Sequence, residues 1–278
     1  MTLALLAAAV VACAAPVMAE TAAEAFAKGE RLLAKGDFQA AQQSYAAAAR
    51  ADRDNPEYMQ HFAMIRRIID LRSRLQTEQD PERWQDMARA LHAFYASGGI
   101  LSELLKLDQS IHTRLNSAES ATMLAETQLA LGQNPDAAKT LAALESGKTT
   151  VMTQALLGIA LLRSGQKDQA QQIVDKLTLS DEDGAGASYA AARLHAGVGN
   201  AAKAMGLLKL CFEAIPGSVL EDYKAHAKSC PEFAALASSA EFASVLKTES
   251  KVPESKCSGG SSCAGCPMAG KCPKGQGK

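Results

Sequence analysis

The sequence predicts an all-α protein built from antiparallel helix pairs, and three observations predict it. Apolar residues make up 47% of the 278 residues, yet aromatics supply only 5% and Trp occurs once. Alanine leads the composition, so much of the core must be small side chains in close contact. That suits helix on helix better than a β-sandwich or barrel. Second, runs rich in Val, Ile, Thr and aromatics are missing almost everywhere, so strands have nothing to build on. Third, breaks marked by glycine recur at a fixed interval between segments whose apolar residues fall at helical spacing. The chain is long enough for a real core at this apolar fraction, which excludes disorder throughout. Its 29 basic and 30 acidic residues leave a net charge of −1, so no global field draws it to nucleic acid or anionic membrane.

Residues 1–19 read as an export address. An uncharged apolar run, LALLAAAVVACAA, occupies 3–15, and Val17-Met18-Ala19 supplies small residues where a signal peptidase cuts. Cleavage after Ala19 is the expectation. A membrane span needs about 20 apolar residues, and this run breaks at Pro16. The rival is a bacterial lipobox, Val10-Val11-Ala12-Cys13, with Cys13 as a lipid anchor. Either route predicts an exported protein, periplasmic or secreted, without an integral membrane segment after processing.

The body, from residue 20, opens with AFAKGERLLAKGDFQAAQQSYAAAA, a helix, a break at Gly36 and a second helix. Three later segments share the plan, with breaks at Gly132, Gly165 and Gly199, 33 and 34 residues apart. Ala41, Ala137, Ala170 and Ala204 each follow their glycine by five residues. Glycine supplies the left-handed conformation that ends the first helix, and alanine lets the second lie close against it. Gly29 and Gly158 stand seven residues before Gly36 and Gly165.

These residues resemble the tetratricopeptide repeat, a 34-residue helix–turn–helix unit, over residues 22–55 and 118–217. The family has small residues where Gly29, Gly158 and Ala192 stand, small ones again at Ala41, Ala170 and Ala204, and a proline where Pro216 stands. The chain departs from it in having no early Trp, and Tyr45 alone fills the late aromatic position, taken elsewhere by Leu141, Val174 and Leu208. The resemblance implies a right-handed superhelix whose first helices line a concave, partner-binding groove. On that basis the lining is Phe26, Glu30, Thr122, Glu126, Ile159, Leu162, Tyr189 and Arg193. The resemblance also puts His195 at a packed position on a helix face, so a core role is expected of it.

Between the clear copies, residues 56–117 read as degenerate repeats: a long helix carrying Arg66, Arg67, Arg72 and Arg74, then a pair breaking at Gly98-Gly99. Gly98 lies 34 residues before Gly132, so the register persists. Residues 181–186, DEDGAG, read as a hinge-like loop. Residues 218–248 read as a closing helical region in which Pro231 starts a turn and Phe233, Leu236, Phe242 and Leu246 share a face that covers the end of the stack.

Residues 249–278 form a Lys/Gly/Cys-rich tail. Four of the 7 cysteines fall here, Cys257, Cys263, Cys266 and Cys272, at C-x5-C-x2-C-x5-C spacing. Five lysines against one glutamate from Lys251 onward make it locally basic. In an exported chain an even set of cysteines first suggests two disulfides. Four thiolates also suit Zn or Cu(I), with Gly259, Gly260 and Gly265 for the tight turns and Met268 as a further soft donor. A redox-active Cys263-Ala264-Gly265-Cys266 pair and free thiols are the remaining readings. Cys211 and Cys230 lie in the body, where buried free thiols or a bridge between the two are the alternatives.

No Gly-x-Ser-x-Gly, Walker-type loop or His-Glu-x-x-His occurs, and the five histidines are dispersed. The expected function is therefore a non-catalytic adaptor for a protein or peptide partner in the bacterial envelope. The alternative is metal-binding or thiol-redox work by the tail, docked to a client by the repeats.

Overall fold

The computed structural model describes residues 20–180 and 182–253. The signal reading, Cys13 and the four tail cysteines lie outside them. Among the described residues there is no strand, and most of them are helical. The chain divides into two compact units, the first ending at Leu107 and the second starting at Asp108.

The first unit holds α1 (Ala22–Ala34), α2 (Phe38–Ala51), α3 (Pro56–Thr77), α4 (Pro81–Ser97) and the start of α5 (Leu101–Leu115). The starts of α1 to α4 each have a chemical cause. Thr21 and Glu24 form a capping box on α1, Asp37 caps α2, and Asn55 and Asp80 cap α3 and α4 just before Pro56 and Pro81. From α1 to α4, each helix packs on the next. Close approach in the first pair depends on Gly29, where a Cβ would meet the Tyr45 ring at 2.7 Å.

The second unit continues from α5 through α6 (Ala118–Ala130), α7 (Asn134–Ala142), α8 (Val151–Arg163), α9 (Lys167–Lys176), α10 (Gly184–Gly197), α11 (Ala201–Ala214) and α12 (Gly217–Ser229). A 3-10 turn (Pro231–Leu236) and α13 (Ala240–Val245) close it. Helices pair α6 with α7, α8 with α9 and α10 with α11; α6 also touches α8, and α8 touches α10. Contact between first helices of successive pairs is the architecture of an α-solenoid, and it makes one continuous core.

The glycine reading holds residue by residue. Gly36, Gly132, Gly165 and Gly199 all have positive φ, between 72° and 94°. The residue after each glycine sends its N–H back to the helix it leaves: Asp37 to Leu32, Gln133 to Gln128, Gln166 to Leu161 and Asn200 to His195. The degenerate pair makes the same turn one residue later than its sequence register suggests. Gly98 keeps right-handed geometry, Gly99 takes φ 64°, and Ile100 N–H bonds Tyr95. Ala41, Ala137, Ala170 and Ala204 are each fully buried.

Two boundaries differ from expectation. The 181–186 loop is shorter, because α10 already starts at Gly184, behind an Asp183 carboxylate that accepts from the Ser180 backbone and hydroxyl. The closing region is α12 followed by two short helical turns, since Ser239 caps a new start at Ala240. Its apolar face survives: Phe233 and Phe242 are buried with ring centroids 5.8 Å apart, and Leu236 and Leu246 pack against the same core.

Candidate functional site

The second unit contains a cavity of about 370 Å³ lined by Glu126, Leu129, Ala130, Arg163, Tyr189, Arg193, Asp222, Tyr223 and His226. Four helices supply it. Glu126 through Ala130 are the last turns of α6, Arg163 is the final residue of α8, Tyr189 and Arg193 stand one turn apart on α10, and the rest come from α12. Residues three and four apart share a helix face, so Tyr189 with Arg193 on α10, and His226 with Asp222 and Tyr223 on α12, each enter from one helix.

Behind this lining Glu232, on the closing 3-10 turn, is the pivot. Arg163 Nε donates to its Oε1 at 2.5 Å and Arg193 Nε to its Oε2 at 3.2 Å. The Cys230 thiol donates to Oε2 at 2.8 Å. Burial alone would raise the Glu232 carboxyl. The Arg163 hydrogen bond and the Arg193 charge outweigh it and hold the group at about 2. Arg163 also reaches back through Nη1 to the Leu129 carbonyl at 3.3 Å, satisfying an end of α6. Burial raises Cys230 to about 11 and Cys211 to about 12, so both are protonated thiols at neutral pH. Both are free and buried, with no bridge between them.

The aromatic wall is built on Tyr189. Its hydroxyl lies 2.6 Å from His226 Nδ1, and its ring meets Tyr223 edge-on at 5.1 Å. Burial raises the Tyr189 phenol, while burial and the Arg193 charge lower His226.

Of the eight residues expected to line a groove, the structure brings Glu126, Tyr189 and Arg193 to this cavity. Thr122 is half-buried one turn before Glu126 on α6. Ile159 does not line an open face: it is fully buried in the core of the second unit. Leu162 is half-buried and fills the space that a side chain at Gly197 would take, 2.2 Å from the Cβ position. Phe26 and Glu30 belong to the first unit. There Phe26 packs against Tyr45, Tyr58 and His61, and Glu30 accepts the Tyr45 hydroxyl with His61 Nδ1 at 3.0 Å. His195 is buried with Nε2 unpartnered, in a packed position.

Sequence reasoning missed Arg163, Tyr223, His226 and Glu232. Arg163 reads in sequence as a cation suited to a helix C-terminus, and Glu232 as a first-turn acid after Pro231. Neither position announces an ion pair 69 residues away in the chain.

Among the described residues, no group of three or more His, Cys, Asp or Glu side chains is placed to hold a metal ion. No described helix is long and apolar enough to cross a membrane. The chain matches no protein-family model and no curated protein.

Proposed function

We propose that this chain is a helical-repeat scaffold of the tetratricopeptide kind, exported to the bacterial envelope, which binds a partner protein through the second unit and catalyses nothing. One observation carries the reading. The cavity is open to α6, α8, α10 and α12 together, so a single partner segment laid across it touches four helices at once. Such a surface, with two tyrosines and two arginines, has the side chains enriched at protein-binding hot spots. Helix-in-groove and extended-peptide recognition are the two modes repeat scaffolds use.

A photo-crosslinking residue placed at Tyr223 in the producing cell tests it. A discrete protein adduct from Tyr223, absent when the probe stands at the exposed Leu210 (57% accessible), is the expected result. A folded, exported protein that yields no adduct from Tyr223 overturns the proposal.

A second reading rests on the spacing of Cys257, Cys263, Cys266 and Cys272, which suits Zn or Cu(I) as well as two disulfides. There the tail does the chemistry and the repeats dock it. Elemental analysis of the purified chain, beside a count of its free thiols under denaturing conditions, separates the occupants. About one metal per chain, lost on alkylation, moves metal handling to the front.

A further inference from the structure

We infer that residues 250–252 form a strap that closes the end of α11 and fixes the point from which the cysteine tail leaves the repeats. The strap stands whatever the cavity of the second unit binds. Its cause lies at the end of the last repeat. α11 stops at Ala214, and Ile215 and Pro216 follow in extended backbone, with ψ 150° and 143°. The last carbonyls of a helix have no donor further along it, and Pro216 brings no N–H of its own. The closing region returns the chain to this spot. α13 packs on α11, with Phe242 and Val245 buried.

The strap then supplies donors to that end of the helix. Lys251 N–H donates to the Glu213 carbonyl at 2.8 Å. The Ser250 hydroxyl donates to the Ile215 carbonyl and in turn accepts Val252 N–H at 3.1 Å. Lys251 Nζ lies 2.8 Å from Glu213 Oε2, and a cation at a helix C-terminus also meets the negative end of its dipole. Ser250 therefore has to be a hydroxyl, because it gives one hydrogen bond and takes another. Lys251 has to be basic, because its partners are a carboxylate and a helix end.

The strap bears on both readings of the function. It grips the corner where α11 gives way to α12, whose Asp222, Tyr223 and His226 line the cavity. Asp222 stands five residues into α12, a rise of about 7.5 Å. Cys257 is four residues beyond Pro253, so the chain lets it stray at most about 14 Å from there. With the strap closed, the first tail thiol is leashed to the corner from which a wall of the cavity springs. With it open, the leash starts at the end of α13 instead.

Amide hydrogen exchange on the full chain tests the strap. The residue 251 amide is expected to exchange at least tenfold more slowly than a free chain of the same sequence. Ser250→Ala should remove most of that protection. Lys251→Glu and Glu213→Lys should each speed exchange at 251 at least threefold, and the double variant, with the charges swapped, should restore it. The Leu208 amide, inside α11, is expected to keep its native rate in all four, which separates an opened strap from an unfolded repeat. Exchange at 251 at the free-chain rate in the native protein overturns the inference. So does a charge swap that restores nothing.

Discussion

Glu232 is the residue on which the second unit turns, because its carboxylate holds two arginines from different helices and a thiol. Glu232→Gln keeps the shape and removes the charge, leaving buried Arg193 and half-buried Arg163 without their counter-ion. Breaking a buried pair in this way costs about 3–5 kcal/mol, so urea unfolding should show that loss with an unchanged slope. The same group sets the acid response. Its folded pKa, about 2, lies below the ordinary carboxyl value of 4.5. The stabilisation is therefore complete above pH 4.5 and is lost as pH falls from there toward 2. Linkage puts it at about 3 kcal/mol. Urea midpoints between pH 5 and pH 3 should fall steeply in the native sequence and less steeply in Glu232→Gln. The neighbouring thiols predict a slower chemistry. With burial holding Cys230 at about 11 and Cys211 at about 12, neither should take iodoacetamide at pH 7.5 until urea is added. Peptide mass spectrometry reads each site separately, and prompt labelling of either in the folded chain would contradict the burial.

Helix pairs depend on where glycine permits contact and where it merely weakens a helix. At Gly29 a Cβ would lie 2.7 Å from the Tyr45 ring, which is fully buried and tied through its hydroxyl to Glu30. Gly29→Ala should lower stability: overpacking costs about 1–3 kcal/mol, against about 1 kcal/mol gained in helix propensity. Gly206, inside α11, has nothing within 4 Å of its Cβ position. Gly206→Ala should raise stability by about 0.5–1 kcal/mol, and thermal unfolding of the two variants compares them directly. These elements were largely legible in the sequence, because their signals are local. A glycine five residues before an alanine states both the left-handed turn and the close packing that follows it, and the structure has both at all four copies. The degenerate pair was legible in register but not to the residue, since adjacent Gly98 and Gly99 give no local reason to choose one. The site was legible at the repeat positions Glu126, Tyr189 and Arg193, which fall at matching places on α6 and α10, whereas Glu232 joins Arg163 through tertiary packing that no periodicity records. Ile159 was misplaced for a related reason: the turn of α8 that carries Gly158 is covered by Leu194 of α10, so a first-helix position there is core.

At the scale of the molecule, the cavity of the second unit is the proposed working surface, with no part for the cysteine tail in holding the partner. The two can be separated in one experiment on the exported protein. Tyr223→Ala removes an aromatic wall of the cavity, and deletion of residues 254–278 removes all four tail cysteines while keeping the Lys251 pair with Glu213. Quantitative co-purification of the protein captured by the Tyr223 crosslinker, compared across the native chain and both variants, is the most direct test. Tyr223→Ala is predicted to reduce recovery at least tenfold, as truncation of a hot-spot aromatic does, with the tail deletion at native levels. Recovery lost with the tail and retained in Tyr223→Ala would contradict the account and place the function at Cys257, Cys263, Cys266 and Cys272.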